Sequence, residues 1–382
     1  MLLKALSKGK LVKLQRHGIL VGLALTATFA LAACGSDNNS NPPASGGTGA
    51  ASAAASFACA TGTLNAQGST AQQNAINQWI KDYQTGCSGA NIVYQGTGSG
   101  AGQQAFIAGT ADFAGSDSPL TAADQPKADA RCKTGPAIHL PMAVGPIAVV
   151  YNVQGVTGLQ LKPATLAKIF AGKITTWNDA AIKADNPSAN LPSTKITTVH
   201  RSDSSGTSDN FTNYLSTVDA ADWTFGHDKT WKGPGGDAEK GSDGISSFLG
   251  KTDGSIGYVE WSFAQANNLN VSKVGNGAGE FVELNGDSAG RTIASAKTSG
   301  TGNDMKLTID YNTTAAGAYP IVLVTYEIVC EKGNSSTALP LIKGFLGYAS
   351  STAGQQAITG VGYAPLPDSV RTKVATTVGN LG

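Results

Sequence analysis

Apolar positions through the body of the chain alternate between two spacings, which predicts a mixed α/β fold. Short stretches such as Thr63–Ala66 and Ala90–Gln95 show the period-two alternation of strands. The segment between them has an apolar residue every three or four positions, on one helical face: Ala75, Ile76, Trp79, Ile80 and Tyr83. Repeated strand–helix units of this kind are typical of α/β domains.

Two longer apolar runs, Met142–Val150 and Tyr319–Val329, contain many branched side chains and no Lys or Arg. They are either central strands of one sheet or crossings of the chain between two lobes. In the second interpretation, residues 57–145 and 322–382 form one lobe and residues 146–321 form the other. Two crossing strands would make a hinge that can close over a ligand.

Residues 1–33 have the pattern of a secretory signal peptide. Basic residues without any acidic residue precede an apolar stretch, Gly18–Ala30, which is too short for a permanent membrane span. The sequence Leu31-Ala32-Ala33-Cys34 resembles a bacterial lipobox, which predicts that Cys34 is the lipid-bearing first residue of the mature protein. A chance cysteine after a non-lipidated signal is the alternative. Residues 35–56 hold no large apolar side chain, so residues 34–56 are expected to form a flexible tether.

The charge of the mature chain limits its partners. Signal removal takes five of the 27 Lys and Arg residues, which leaves 22 against 26 Asp and Glu residues and a net charge of −4. This balance argues against nucleic acid as a partner, because nucleic-acid-binding surfaces are basic. An anionic ligand would be held by local dipoles rather than by a general positive field.

Four cysteines remain after Cys34, and an even number in an exported protein suggests two disulfides with three possible pairings. We favour Cys59 with Cys87, because this pair brackets one strand–helix unit. That choice leaves Cys132 with Cys330. The sequence has no CxxC motif and no cluster of Cys and His, so no metal site is expected.

Three segments combine a strand, a turn rich in Gly, Ser and Thr, and a helix: Gly68–Ala71, Gly98–Ala101 and Ser204–Ser208. Each would place backbone N–H groups and a hydroxyl at a helix N-terminus, which are components of an anion site. A single turn of this kind more often only caps its helix. Arg201 and Asp203 precede the third turn. An Arg fork suits two phosphate oxygens and Asp203 could fix it in place, although such a pair alone is usually a surface ion pair.

Several long strings resemble, in order, the phosphate-binding proteins of the bacterial high-affinity phosphate ABC importer. They are LNAQGSTAQQNAINQW (64–79), YQGTGSGAGQQAFIAGTADFAGSDSPL (94–120), KIFAGKITTWNDAAI (168–182), HRSDSSGTSDNFTNYL (200–215), GSDGISSFL (241–249), GSIGYVEWSFAQANNL (254–269) and GYAPLPDSV (362–370). The resemblance covers nearly the whole mature body. It implies a two-lobe periplasmic-binding-protein fold of type II, with two hinge crossings and a ligand cleft between the lobes.

The resemblance also implies a set of phosphate-binding residues: Thr70, Ala71, Ser99, Asp117, Arg201, Asp203, Ser205, Gly206 and Thr207. Many relatives have Phe where Ala71 stands, a change that a backbone N–H donor tolerates. Asp117, when ionised, would accept the proton that phosphate carries and would repel sulfate, which has no proton to donate. Without the resemblance, Asp117 is most simply a turn residue before Ser118-Pro119.

The function implied is capture of inorganic phosphate, without catalysis or a cofactor, and delivery to an importer of two permease and two ATPase subunits. The protein would lie at the outer face of the cell membrane or in the periplasm, with membrane contact only through Cys34. The alternatives are a secreted phosphatase-like relative, a binder of another oxyanion and an adhesive surface lipoprotein. The sequence shows no His paired with a Ser and no metal-binding cluster, which a phosphatase would need.

Overall fold

The computed structural model describes residues 58–382, so the predicted signal peptide, the tether and Cys34 lie outside the described residues. Among the residues that it describes, no helix has both the length and the apolar character that a bilayer crossing needs.

Strands and helices alternate along this part of the chain, as the apolar spacing predicts. The strands are β1 (Gly62–Gly68), β2 (Ala90–Gly96), β3 (Phe113–Ser116), β4 (Ala137–Asn152), β5 (Gln160–Leu161), β6 (Thr197–Arg201), β7 (Asp237–Glu239), β8 (Ser255–Glu260), β9 (Asn270–Val271), β10 (Lys273–Gly275), β11 (Phe281–Val282), β12 (Lys297–Thr298), β13 (Leu307–Thr308) and β14 (Val322–Cys330). The helices are α1 (Gln73–Gly86), α2 (Ser99–Ile107), α3 (Gln125–Cys132), α4 (Pro163–Phe170), α5 (Ala180–Asp185), α6 (Gly206–Val218), α7 (Gly241–Lys251), α8 (Trp261–Ala266), α9 (Gly286–Ala294), α10 (Leu339–Ala349), α11 (Thr352–Thr359) and α12 (Asp368–Gly379).

The main sheet has the strand order β2-β1-β3-β14-β4-β8-β6-β7, and β9 also pairs with β4. At one end β1 runs parallel to β2 and β3, and at the other end β6 runs parallel to β7 and β8. The strand β4 is antiparallel to both of its main neighbours. It pairs with β14 from Ala137 to Pro146 and with β8 from Ile147 to Asn152. One strand of 16 residues therefore joins the two parallel groups.

Both long apolar runs are strands at the centre of this sheet. Every residue of β14 is buried, and in β4 only the last residue is partly exposed. Strands covered on both faces need no polar alternation, which explains their continuous apolar sequence. The strand β4 begins at Ala137, five residues before the predicted run, and includes Pro141. The pairing register shifts between Thr325 and Tyr326 opposite this proline, and such irregularities accommodate the N–H that proline lacks.

The hydrophobic interior forms two main clusters, one around Trp79 and one around Phe211. Along β4, Ala143 belongs to the first cluster and Ile147 to the second. The clusters therefore divide close to the predicted crossing between residues 145 and 146. The lobe boundaries themselves stay a prediction.

The structure joins Cys59 to Cys87 and Cys132 to Cys330, with Cα atoms 5.3 Å apart in both pairs. The first disulfide ties the chain before β1 to the end of α1. The second spans 198 residues of sequence and fixes the end of α3 to the end of β14. Closing so long a loop lowers the conformational entropy of the unfolded chain, which stabilises the fold.

Candidate functional site

Asp117 is the point at which several hydroxyl groups meet. It follows β3 directly and is 3% exposed. The hydroxyl of Thr325 donates to Oδ1 at 2.8 Å, and the hydroxyls of Ser99 and Thr207 lie 3.4 and 3.5 Å from Oδ2. The backbone N–H of Asp117 donates to the Ser99 hydroxyl at 3.1 Å. The sheet order causes this convergence, because β3 and β14 are neighbours and the helices α2 and α6 begin beside them.

The first turn has a different form from the one predicted. Helix α1 begins at Gln73, so Thr70 lies in the turn before the helix and not at its first residue. The Thr70 hydroxyl accepts from the backbone N–H of Ser242 at 3.2 Å and lies 3.0 Å from the Ser242 hydroxyl. The Ala71 N–H donates to the Ser69 hydroxyl at 3.0 Å. The turn is longer because Ser69 first bonds back to β3, where its N–H donates to the Gly115 carbonyl.

The second and third turns place their residues at helix starts. Ser99 is the first residue of α2. Ser205 precedes α6, and its hydroxyl caps the helix by accepting from the Ser208 N–H at 3.2 Å. Gly206 is the first residue of α6. A Cβ atom on it would lie 2.6 Å from both the Asp117 Cβ and the Ser99 Oγ, so only glycine allows this approach.

Arg201 is a buried arginine beside the third turn, and its part in the site stays a prediction. It ends β6 and is 3% exposed. Its Nε and Nη2 groups donate to the two Asp203 oxygens at 2.7 and 2.5 Å, and Asp203 also accepts from the Gly241 N–H. Burial opposes ionisation of Asp203, but the hydrogen bonds and charge of Arg201 outweigh it and lower the pKa of Asp203. The guanidinium is therefore held rigidly by a charged partner.

The electrostatic state of Asp117 follows from its surroundings. Burial raises the pKa of Asp117, while hydrogen bonds from Ser69, Thr325 and Ser99 and the charge of Arg201 act in the opposite direction. A carboxylate in this position has hydrogen-bond donors but little water. Such a group attracts a ligand that brings its own proton and repels an anion that brings none.

Segments that we assign to different lobes are hydrogen-bonded directly. The Gly100 N–H donates to the Ser204 carbonyl at 2.9 Å, and Lys229 Nζ donates to the Gln103 side chain at 2.9 Å. All of the predicted site residues except Asp203, whose side chain is 12% exposed, are at least nine-tenths buried. The structure is therefore a closed arrangement, with the candidate site shielded from solvent.

Ser242 and Thr325 contact the predicted site residues but were not predicted as members of the set. Ser242 lies in one of the strings that carry the resemblance, at the start of α7. Thr325 is a polar residue inside an apolar strand that is buried on both faces. A polar side chain in such a strand needs a partner, so this position carried a usable signal.

The described side chains do not form a group that could hold a metal ion. Within residues 58–382, no group of three or more His, Cys, Asp and Glu side chains is placed to hold an ion. His227 pairs with Asp209 and His139 with Asp304.

Comparisons with known proteins agree with one another. A family model described as "PBP superfamily domain" matches residues 53–352. The phosphate-binding protein PstS 3 of Mycobacterium tuberculosis (strain ATCC 25618 / H37Rv) is 42% identical over 371 residues, which cover 96% of this chain and 99% of that protein. Two solved structures share the fold. A high-affinity periplasmic phosphate-binding protein (PfluDING) bound with phosphate has a TM-score of 0.68 and 23% identity, covering 82% of this chain and 93% of its own. A phosphate-binding protein from Stenotrophomonas maltophilia has a TM-score of 0.65 and 21% identity, covering 83% and 94%.

The close approach at Gly206 predicts that Gly206→Ala disfavours the closed arrangement. The added methyl group would overlap Asp117 and Ser99, and overpacking of this kind costs about 1–3 kcal/mol. Small-angle X-ray scattering should show a larger radius of gyration than for the unchanged protein. Gly379→Ala is the matched control, because a Cβ atom there meets nothing within 4 Å. Identical scattering from both variants would contradict the closed arrangement around Gly206.

Proposed function

The chain belongs to the PstS family of phosphate-binding proteins, and from this premise we propose that it binds inorganic phosphate outside the cytoplasm and delivers it to a membrane ABC importer. The observation that carries the proposal is the buried Asp117 carboxyl among hydroxyl groups and near Arg201. This arrangement offers many donors and one acceptor. A tetrahedral anion that retains one proton is complementary to it.

The single acceptor explains selectivity between anions. Phosphate is protonated at neutral pH and can donate its proton to Asp117, whereas sulfate has no proton to donate. Sulfate would therefore place unpaired negative oxygens against a buried carboxylate. A mismatch of this type costs about 1–3 kcal/mol, and more when a charge is involved.

Each predicted residue has a part in this proposal. Arg201, oriented by Asp203, supplies a charged fork to the phosphate oxygens. Ser99 and Thr207 supply hydroxyl donors beside Asp117. The backbone N–H of Gly206 adds a donor, and the Ser205 hydroxyl supports it by capping α6. The first turn contributes through the Thr70 hydroxyl, whereas the Ala71 N–H donates to the Ser69 hydroxyl and so shapes that turn. The set comprises Thr70, Ala71, Ser99, Asp117, Arg201, Asp203, Ser205, Gly206 and Thr207.

Closure couples binding to delivery. The donors come from residues 57–145 on one side and from residues 146–321 on the other, so a bound anion stabilises the closed arrangement by contacting both sides. The closed form would then dock on an importer of two permease and two ATPase subunits. The proposal assigns no chemical step, and the relatives are named for binding and not for catalysis.

Lipid attachment at Cys34 would keep the protein at the outer face of the membrane, with residues 34–56 as a tether after removal of residues 1–33. A single attached chain gives weak binding and additional chains give stable anchoring. Cys34→Ala should therefore move the protein from the membrane fraction to the medium or periplasm. An unchanged distribution, together with an unlipidated mature mass for the original protein, would contradict the anchor.

Isothermal titration of the purified protein with phosphate, arsenate and sulfate tests the function. Phosphate and arsenate should each bind with one-to-one stoichiometry, because arsenate also keeps a proton and has the same shape. Sulfate should give no comparable heat. Absence of phosphate binding would contradict the proposal.

In the same titration, Asp117→Asn should reduce the preference for phosphate over sulfate by about tenfold or more, since an amide can donate to sulfate. The original protein should also lose affinity as the pH falls through the pKa of Asp117, because a protonated carboxyl is a weaker acceptor for the phosphate proton than a carboxylate. That loss should begin above pH 3.8, the ordinary value for Asp, because burial raises this pKa. Unchanged discrimination in Asp117→Asn would remove Asp117 from the selectivity mechanism.

Arg201→Ala should weaken phosphate binding severely. Removing one partner of a buried charged hydrogen bond costs about 2–5 kcal/mol, which corresponds to roughly 30-fold or more in affinity. Arg291→Ala, on the exposed face of α9, is the matched control and should bind phosphate normally. Near-normal affinity in Arg201→Ala would place the anion elsewhere.

A further inference from the structure

Glu327 is a buried carboxyl group that the anion site does not use directly. It lies in β14, between β3 and β4, and has no exposed surface. Neither of its carboxyl oxygens has a hydrogen-bond partner within residues 58–382. An ionised carboxylate without a partner is very unfavourable in such a place, whereas the neutral acid needs only one acceptor for its proton.

The register between β3 and β14 brings Glu327 close to the side chain of Gln72. Glu327 lies directly opposite Gly115 on β3, and opposed residues of antiparallel strands point to the same face. A Cβ atom on Gly115 would lie only 1.8 Å from Gln72 Nε2, so the Gln72 amide fills the space that this glycine leaves. The side chains of Glu327 and Gln72 therefore share one buried site.

The direction of the hydrogen bonds at Gln72 is fixed by Tyr94. The Tyr94 hydroxyl has one proton, which it donates to the Ser69 carbonyl at 2.8 Å. The same hydroxyl oxygen must then accept from Gln72, whose Nε2 lies 2.9 Å away. This assigns the nitrogen of the amide to the Tyr94 side. The amide oxygen is buried and has no donor in the described part of the chain.

We propose that Glu327 is a positioning residue for the anion site, which stays protonated and donates to the Gln72 amide oxygen. The chain of hydrogen bonds from Glu327 through Gln72 and Tyr94 then holds the carbonyl of Ser69. Ser69 in turn contacts two members of the site, since its hydroxyl accepts from the Ala71 N–H and bonds to Asp117. The inference rests on the proposed phosphate-binding function.

Burial and the charge of Asp117 favour the neutral form of Glu327, and the Gln72 side chain acts against them. Tyr94 faces it from β2 with a neutral hydroxyl, whereas Asp117 faces it from the end of β3 and would repel a charged Glu327. The strand β4 presents apolar Leu140 opposite it, and α1 begins beside the uncharged Gln72. Burial raises the pKa of Glu327 to about 8, the neighbouring Gln72 side chain acts in the opposite direction, and the charge of Asp117 acts in the same direction as burial.

Ionisation of Glu327 at high pH should lower both the stability of the fold and the affinity for phosphate. Stability due to neutral Glu327 is complete below pH 4.5, the ordinary pKa of Glu, and declines until the folded protein loses the proton at about pH 8. Phosphate affinity should fall above about pH 8, because the bound anion also opposes ionisation of Glu327. Inorganic phosphate keeps one proton through this range, so its own ionisation does not cause the fall.

Three variants test the proposal, with phosphate titration at pH 6 to 10 and urea unfolding at pH 4 to 9 as readouts. Glu327→Gln keeps a neutral donor, so it should bind phosphate normally at pH 7 and show a smaller alkaline fall than the original protein, in which the fall is up to about tenfold per pH unit. Any remaining fall belongs to groups such as Glu260 that still titrate in this range. Glu327→Leu removes the donor and leaves the Gln72 oxygen unpaired, so its affinity at pH 7 should fall about tenfold. Glu283→Gln, at a side chain that is 73% exposed, is the matched control and should change neither readout.

Unfolding separates Glu327 from other buried groups. The pKa of Glu260 is also raised by burial to about 8, but Glu260 titrates equally in every variant. The difference between the original protein and Glu327→Gln therefore belongs to Glu327. Its decline in unfolding free energy between pH 4.5 and 8 should be absent from Glu327→Gln.

The outcomes distinguish the two proposals. If Glu327→Gln is as weak as Glu327→Leu at pH 7, or if the pH profiles of Glu327→Gln and the original protein are parallel, the role of Glu327 is wrong. If the original protein binds no phosphate, the proposed function fails. The unfolding profiles would still report whether Glu327 is neutral.

Discussion

The site depends on keeping one carboxyl group, Asp117, nearly free of water and yet supplied with hydrogen-bond donors. Burial alone would drive this group to the neutral form, and the surrounding hydroxyls with Arg201 act against that tendency. The balance tolerates few geometries, because a buried charge without a partner is very unfavourable. Residues from both sides of the cleft must therefore approach closely. The absence of a side chain at Gly206 permits that approach.

The centre of the sheet supplies this geometry. The strand β4 joins the two parallel groups, and β14 lies between β4 and β3. Asp117 leaves the end of β3 and meets Thr325 of the adjacent β14. Two residues further along β14, Glu327 lies beneath the first turn. The strands β4 and β14 thus connect the two hydrophobic clusters, and β14 also supports the groups around the anion site.

The sequence predicts a contact well when both residues lie close together in one motif. Arg201 and Asp203 are two residues apart on one extended segment, so their contact could be anticipated without knowing the fold. The lengthened turn at Thr70 could not, because it depends on a hydrogen bond between Ser69 and a strand more than forty residues later. Glu327 was hidden in an apolar run, since its partners depend on which strands are neighbours in the sheet. Residue type predicted the donors, and sheet order determined which of them meet.

The most direct measurement is a crystal structure of the protein grown with phosphate. The account predicts one phosphate oxygen at about 2.5–2.7 Å from an Asp117 oxygen, the distance of a hydroxyl donating to a carboxylate. The same anion should lie within hydrogen-bond distance of Arg201 and Ser99. Phosphate bound at another place, or bound here with its nearest oxygen beyond about 3.5 Å from Asp117, would contradict the account.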